Sequence, residues 1–204
     1  MNYKKSRDLS WKVLKHNNVS SLPVDILKIC KNEKIKVISY AQGMDLIRSL
    51  GLASHTVGND AFCICNVIFY DDTTTSGRQR FSIAHELGHI LLHSKHSREA
   101  SVYNREPTAH DNPIEHEANV FASRLLAPLA VLHYLNVNSA KEIAELCEIS
   151  MIAAEIRYER LCKIRKRNSD FINAGKSGTF EMSRLEQKVI KNFKSFIEEN
   201  KKIL

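Results

Sequence analysis

Two histidines and a glutamate near the middle of this 204-residue chain have the types and spacing of a hydrolytic metal site: His85, Glu86 and His89. Two histidines four residues apart lie on one face of a helix and can bind the same tetrahedral Zn²⁺ ion. The carboxylate between them can take a proton from attacking water and later deliver it to a leaving amine. The spacing therefore predicts a zinc-dependent hydrolase in which Glu86 is the catalytic base.

The residues around this motif are apolar and predict a buried helix. They are Ile83, Ala84, Leu87, Ile90, Leu91 and Leu92. Buried histidine and glutamate side chains lose their hydration, and a bound metal ion compensates for that loss. The alternative is a pair of core histidines that hydrogen-bond to carbonyl oxygens. Because the five-residue pattern also arises by chance, a third ligand is the feature that would separate these two interpretations.

A second predicted helix, at about residues 114–126, offers such a ligand. Glu115 and Asn119 are four residues apart and therefore share a helix face. We expect Glu115 to bind the metal and Asn119 to hold one of the ligand histidines through a hydrogen bond. Glu117 lies on another face of the helix and is the fallback, and His116 is also a chemically reasonable ligand.

The two motifs with their flanks, residues 80–93 and 115–128, closely resemble the ImmA/IrrE family of metallopeptidases. The similarity extends over about residues 6–165. This chain has Ala127 where the family often has methionine, and Ser123 begins a pair that is commonly alanine and glutamate. Neither departure involves a residue of the predicted site.

The resemblance implies a gluzincin-like domain in which His85, His89 and Glu115 bind zinc and Glu86 is the general base. It also implies a substrate class, because the better-understood members cleave helix-turn-helix transcriptional repressors and so switch mobile elements or stress-response genes. A protein substrate of this kind is therefore an expectation from the resemblance. Nothing in the spacing of the residues identifies a substrate.

The elements that must position these residues predict an α+β fold. We expect a compact zincin-like domain, with a small sheet packed on the HExxH helix, followed by a helical part that resembles a helix-turn-helix. Alternating β-branched and apolar residues predict strands at 34–40 and 61–70, and helical periodicity predicts short helices at 6–15, 24–30 and 45–50. In the second strand we expect the two nearby cysteines to face the same side and to pack there.

The C-terminal third predicts two helices joined by a short turn, at residues 141–147 and 151–165. Basic Arg157 and Arg160 on the second helix would suit DNA contact, but a helical support packed on the peptidase is the favoured interpretation. Apolar Ile156 is expected to take part in that packing. We divide the chain into a zinc metallopeptidase domain (1–130), a helix-turn-helix-like region (131–167), and a linker followed by a C-terminal amphipathic helix (168–204).

The composition argues against several other classes of protein. Five cysteines without a repeating spacing do not suit a disulfide framework. The sequence has no apolar stretch of about 18 residues and begins with polar residues, so we expect a cytoplasmic protein without a membrane partner. The formal net charge of +7 comes mostly from the C-terminal third, which leaves nucleic acid as a minor alternative partner.

Two functions from different classes follow from these patterns. The first is a zinc endopeptidase that hydrolyses one or a few bonds in a repressor, and the alternative is a DNA- or protein-binding regulatory module with a structural zinc site. Zinc-dependent hydrolysis of another carbonyl compound is a third and weaker hypothesis. Candidates for stabilising a developing oxyanion are His93, Tyr103 and His110, and the sequence does not distinguish among them.

Overall fold

A computed structural model of this protein describes residues 3–93, 112–173 and 183–201. In this part of the chain a small sheet is surrounded by helices, which confirms the predicted α+β class. The strands are β1 (Lys36–Ser39), β2 (Ala61–Ile64) and β3 (Val67–Tyr70). The helices are α1 (Lys4–His16), α2 (Ile26–Asn32), α3 (Tyr40–Ser49), a 3₁₀ turn (Ala53–Thr56), α4 (Ser76–His93), α5 (Pro113–Leu126), α6 (Leu129–Tyr134), α7 (Ala140–Cys147), α8 (Met151–Asn173), α9 (Arg184–Asn192) and α10 (Lys194–Asn200).

The sheet has the order β1-β3-β2, so β3 lies in its centre. β1 runs parallel to β3, with Lys36 opposite Val67, and α3 forms part of the connection that parallel strands require. β2 runs antiparallel to β3, with Ala61 opposite Tyr70. The edge strand β2 therefore lies directly before the central strand in sequence, and α4 follows both.

The prediction of a single strand over residues 61–70 is wrong, because the chain reverses in the middle of this run. Cys65 has a φ of 51°, a left-handed conformation, and with Asn66 it forms the two-residue connection between β2 and β3. Cys63 is buried and Cys65 is exposed, so the two thiols do not share a face. The β-prone composition on both sides of the turn concealed the hairpin.

The two faces of the sheet are covered by different helices. On one face, Ile47 of α3 joins a cluster with Phe62 and Phe69, whose rings stack with centroids 5.1 Å apart. On the other face, Cys63 and Ile68 belong to the main core together with apolar residues of α4. The helix with the HExxH motif thus packs on the sheet, as predicted.

Several helix boundaries differ from the predictions for local reasons. α2 begins at Ile26, because the Asp25 side chain accepts a hydrogen bond from the first turn, and Pro23 lies before the helix instead of within its first turn. α3 begins at Tyr40, five residues before the predicted helix, where the Ser39 side chain caps its N-terminus. Side-chain capping of this kind leaves no mark on apolar periodicity, on which the predictions relied.

Two differences concern the C-terminal half. α6 was not predicted, because a proline shortly after a helical pattern indicates that the helix ends, whereas Pro128 also directly precedes α6. α8 continues to Asn173 through the first residues of the predicted linker, directly after a stretch rich in helix-forming lysine and arginine at residues 163–167. Among the helices of the described part of the chain, none combines the length and apolarity that crossing a membrane requires.

The C-terminal helices share the main core with the metal-site helix. Ile143 and Leu161 are fully buried in α7 and α8, and Val189 and Phe193 are fully buried in and just after α9. Ile156, by contrast, is 61% exposed, so its predicted packing against the peptidase is wrong. The cysteines, all within the described residues, carry free thiols. The three-part division of the chain stays a prediction.

Candidate metal centre

The predicted site begins on α4, whose middle is enclosed by the protein. Residues 82–90 form an unbroken buried run, and His85 and His89 are each only 1% exposed. Glu86 is 4% exposed. Polar side chains buried to this extent require partners, and the partners of these three come from α5 and β2.

Gly88 allows α5 to approach α4 closely. A Cβ atom at Gly88 would lie 3.0 Å from Phe121 Cδ1 and 3.3 Å from the Cα atom of Ala118, tighter than ordinary van der Waals contact. Glycine on one helix and alanine on the other therefore bring the two backbones together. This close approach places the first turns of α5 beside the two histidines.

The start of α5 is fixed by its own sequence. The Asn112 side chain accepts a hydrogen bond from the backbone N–H of Ile114, and Pro113 occupies the first helical position, which it favours. Glu115 follows within the first turn, where the positive end of the helix dipole stabilises a carboxylate. Local capping thus orients the acidic side chain towards α4.

His85, His89 and Glu115 meet at one point. The Nε2 atoms of the two histidines are 2.9 Å apart, and Glu115 places Oε2 at 3.2 Å from His85 Nε2 and Oε1 at 3.2 Å from His89 Nε2. Ligand atoms about 2.0–2.2 Å from a tetrahedral zinc ion lie about 3.3 Å from one another. The three side chains therefore have the spacing and the donor atoms of a three-residue metal site.

Glu115 carries a negative charge in this arrangement. Burial alone would raise the pKa of its carboxyl group, but hydrogen bonds from His85 and His89 and the electrostatic interaction with these two residues lower that pKa well below its usual range. The ionised carboxylate is the form that binds a cation.

Asn119 orients one of the histidines, as predicted from the four-residue spacing to Glu115. His85 Nδ1 lies 2.9 Å from Asn119 Oδ1. Since an amide oxygen only accepts, His85 Nδ1 donates, and its proton is fixed on that nitrogen. The Nε2 atom of His85 is consequently held towards the place where His89 and Glu115 meet.

Glu86 faces β2, where it meets a thiol that sequence reasoning had assigned to strand packing. The pKa of the Cys63 thiol is raised by burial, by the negative charge of Glu86 and by a hydrogen bond that the thiol donates to that carboxylate. The charge of Glu115 raises it further. Periodicity placed Cys63 on the strand but gave no sign of its partner.

The other candidate residues lie elsewhere. Glu117 faces His93, with Oε2 at 3.8 Å from His93 Nε2, so the fallback ligand is not part of the triad. His116 is exposed, and its ring lies 4.6 Å from that of Tyr3, between centroids, at the edge of the cleft described next. Tyr103 and His110, two of the candidates for stabilising an oxyanion, lie outside the described residues.

A cleft of about 1220 Å³ opens at the metal triad and runs between α5 and α8. His85, Glu115 and Asn119 line one part of it, and Arg124 and Arg160 line another. Tyr3 also lines the cleft, far from the site in sequence. Sequence reasoning did not single out Tyr3 or Arg124, and it considered Arg160 only for DNA contact, because only the folded chain brings these residues near the motif.

The family model of the IrrE N-terminal-like domain (Peptidase_M78) matches residues 31–159, well over half of the chain, including both metal-site motifs. The chain belongs to this family. The Peptidase_M78 match is supported by a relative, the protein named Metallopeptidase ImmA from Bacillus subtilis (strain 168), which is 27% identical over 141 residues that cover 67% of this chain and 76% of the relative. As a Peptidase_M78 member the chain belongs to a metallopeptidase family, which confirms the resemblance found in the sequence.

Proposed function

We propose that this chain is a zinc-dependent endopeptidase that cuts one or a few peptide bonds in a helix-turn-helix transcriptional repressor, as part of a mobile-element or stress-response switch. The observation that carries the peptidase proposal is the triad of His85, His89 and Glu115, with the catalytic carboxylate of Glu86 beside it. Family membership supports peptide hydrolysis in general. The repressor substrate rests on the family resemblance of the two motifs.

The donor atoms fit zinc better than the common hard cations. Two imidazole nitrogens and one carboxylate are typical of catalytic zinc sites with three protein ligands, whereas magnesium and calcium prefer sites made of oxygen atoms. His85, His89 and Glu115 would hold the ion. Bound zinc would supply a Lewis acid that polarises the substrate carbonyl and lowers the pKa of water.

The remaining chemistry belongs to side chains of the chain itself. Glu86 would take a proton from the water that attacks the peptide carbonyl carbon and then donate it to the nitrogen of the departing amine. One water is consumed, the C–N bond breaks, and a carboxylate and an amine leave. Cys63 and Asn119 would keep Glu86 and His85 in place during these steps.

The test compares the wild-type protein with Glu86→Gln, which removes the base and keeps the size of the side chain. Both proteins are incubated, with and without zinc, with the repressor encoded beside the gene, and fragments are identified by mass spectrometry. We expect loss of a general base to slow cleavage by about 10²–10⁴-fold. Zinc content, measured on the same samples, should be unchanged.

Equal fragmentation by both proteins would contradict the peptidase proposal. Zinc-dependent cleavage of other proteins but not of the repressor would contradict only the substrate class. The alternative DNA-binding function has less support, because Arg157 is buried and donates from its guanidinium to the carbonyl oxygen of Ala127, while Arg160 lines the metal cleft.

A further inference from the structure

The cleft has a cationic end as well as a metal end. Arg124 of α5 and Arg157 and Arg160 of α8 line it together. Their positive charges act on one another: the pKa of Arg157 is lowered to about 9 by burial and then by Arg124 and Arg160, and the pKa of Arg124 is lowered by burial and then by Arg160 and Arg7. Guanidinium groups gathered in this way attract an anion.

Two of these guanidinium groups are available to such an anion. Within the described residues, neither Arg124 nor Arg160 has a carboxylate oxygen within 4.0 Å, whereas the nearby Lys163 is paired with Glu159. Asp8 and Glu186 act on Arg124 only from a longer distance. The Glu186 carboxylate is also engaged, because it accepts a hydrogen bond from the backbone N–H that caps α9.

The facing helices present two regular rows of side chains to the cleft. On α5, Glu115, Asn119 and Ser123 follow one another at four-residue intervals, and Arg124 comes next. On α8 the row is Ile152, Ile156 and Arg160. Residues four apart share a helix face, so each four-residue row is a continuous strip along one wall. Arg124 lies beside the end of the α5 strip, about 100° around the helix from Ser123.

The α8 row combines apolar and cationic side chains. Ile152 is 72% exposed and Ile156 is 61% exposed, although both are large and aliphatic. Exposed isoleucines one turn apart in a cleft suit apolar side chains of a bound polypeptide. Arg160, one further turn along, then offers a charge to the same polypeptide.

Helix geometry sets the distance between the metal and cationic ends. Arg124 follows Glu115 by nine residues, which is about 13 Å along the axis of α5 and about half a turn around it, so that the long arginine side chain must reach back to the cleft. An extended peptide covers about 3.3 Å per residue, so about four residues would separate the scissile bond from a side chain at Arg124. The cleft thus has room for a short extended segment between its two ends.

We propose that this arm of the cleft is a subsite for an acidic segment of the protein substrate. Apolar substrate residues lie against Ile152 and Ile156, and a glutamate or aspartate about four residues from the scissile bond pairs with Arg124 and Arg160. The proposal rests on the peptidase function, since the metal triad defines the scissile bond. Duplex DNA fits less well, because the exposed Ile152 and Ile156 on the same strip suit apolar side chains and offer no contact to phosphates.

Binding can be tested separately from cleavage by using the zinc-loaded Glu86→Gln protein. The probes are three fluorescein-labelled peptides with the same alanine-serine background and the same Val-Val pair for contact with the isoleucines. They differ only in a second pair, which is Glu-Glu, Gln-Gln or Lys-Lys and lies about four residues from the intended scissile bond. Fluorescence anisotropy should show the Glu-Glu peptide binding about tenfold more tightly than the Gln-Gln peptide, and the Lys-Lys peptide binding weakest. Added salt should reduce the difference.

Arginine variants made in the same protein locate the effect. Arg124→Gln and Arg160→Gln should each reduce the preference for Glu-Glu by about threefold or more. Arg167→Gln is the matched control, because Arg167 is an exposed arginine of α8 outside the cleft. Arg160 is itself exposed, so its variant tests the proposal even if Arg124→Gln fails to fold.

The outcomes separate the subsite from the peptidase function. Equal binding of the three peptides, or a preference that survives both cleft variants, would overturn the subsite. So would tighter binding of duplex DNA that is lost in Arg124→Gln and Arg160→Gln, since the cleft would then be a nucleic-acid surface. If the Glu-Glu peptide binds through the arginines but zinc-loaded wild type cuts no substrate, the peptidase proposal fails, and the arginines form a binding site for acidic peptides without a role as a substrate subsite. If zinc-loaded wild type cuts all three peptides equally, the peptidase proposal stands and the acidic subsite is overturned.

Discussion

The candidate site has two sides that are built differently: the packed wall is α4, and the open wall consists of the outer sides of α5 and α8, which line the cleft. The α4 wall carries His85, Glu86 and His89 within a run of buried residues, and its neighbours are the sheet and the core. The opposite wall carries Asn119 and Arg160, which are exposed, on the outer sides of α5 and α8. The groups that we propose for the chemistry therefore belong mainly to the packed wall, and the groups that we propose for substrate selection belong to the open wall.

This difference predicts different consequences of substitution. On the packed wall a changed side chain disturbs neighbours that cannot relax, so folding stability and the metal site should suffer together. On the open wall water replaces what is removed, so only binding should change. Glu115 lies between these extremes, since it is partly exposed but meets two buried histidines. Three substitutions test the comparison.

The largest effect is expected for Glu115→Gln, measured as zinc affinity by competition with a coloured chelator. Removing a direct ligand should weaken zinc binding by at least about 100-fold, beyond the 10–100-fold typical when only a supporting hydrogen bond is lost. Glu117→Gln is the matched control, because Glu117 lies two residues along the same helix and faces His93. Its zinc affinity should equal that of the wild type. Equal losses of zinc affinity in both variants would contradict the assignment of Glu115, and not Glu117, as the third ligand.

A smaller effect, on stability as well as zinc affinity, is expected for Gly88→Ala on the packed wall. Alanine is favoured over glycine inside a helix by about 1 kcal/mol. Crowding against Phe121, which is fully buried, should cost about 1–3 kcal/mol and outweigh that gain. The melting temperature of the metal-free protein should fall by about 2–6 °C.

Zinc affinity should fall in the same variant, because α5 would be pushed away from α4. Adding Phe121→Leu should restore part of both losses, since the nearest contact of the new Cβ is the Phe121 ring. Calorimetry and zinc titration of the single and double variants provide the measurements. A raised melting temperature with unchanged zinc affinity would show that the helices have room for a side chain here.

The packed wall was also the easier wall to predict. The histidine spacing lies within one helix turn, and the apolar residues around it predict burial directly. Glu115 was harder, since Glu117 and His116 are equally good ligands by type, and its pairing with Asn119 through the four-residue spacing favoured it. In the folded chain Glu115 meets the two histidines, and Asn119 contacts His85 one turn along the same helix.

Other features depended on contacts that no local pattern contains. The hairpin at Cys65 lacks the glycine that usually signals a tight turn, so its two strands were predicted as one. Arg124 and Arg160 are 36 residues apart in sequence, and Tyr3 is farther still from either. Their meeting in the cleft follows from how α1, α5 and α8 pack, and single-sequence periodicity carries no such information.

The smallest effect is expected for Asn119→Ala on the open wall. Alanine removes the acceptor for His85 Nδ1, so the ring can rotate and its proton can move to the other nitrogen. Zinc affinity should fall by about tenfold, the lower end for loss of a supporting partner, because water can replace the amide at this exposed position. The melting temperature of the metal-free protein should stay within about 1 °C of the wild type, as for most exposed substitutions.

Ser123→Ala is the matched control for this change. Ser123 lies one turn beyond Asn119 on the same strip of α5 and lines the same cleft, but it is not part of the contact to His85. Its variant should keep the zinc affinity of the wild type. If Asn119→Ala lowered the stability of the metal-free protein as much as Gly88→Ala does, the division into a packed wall and an open wall would be wrong, because α5 would then be held in place by its outer face.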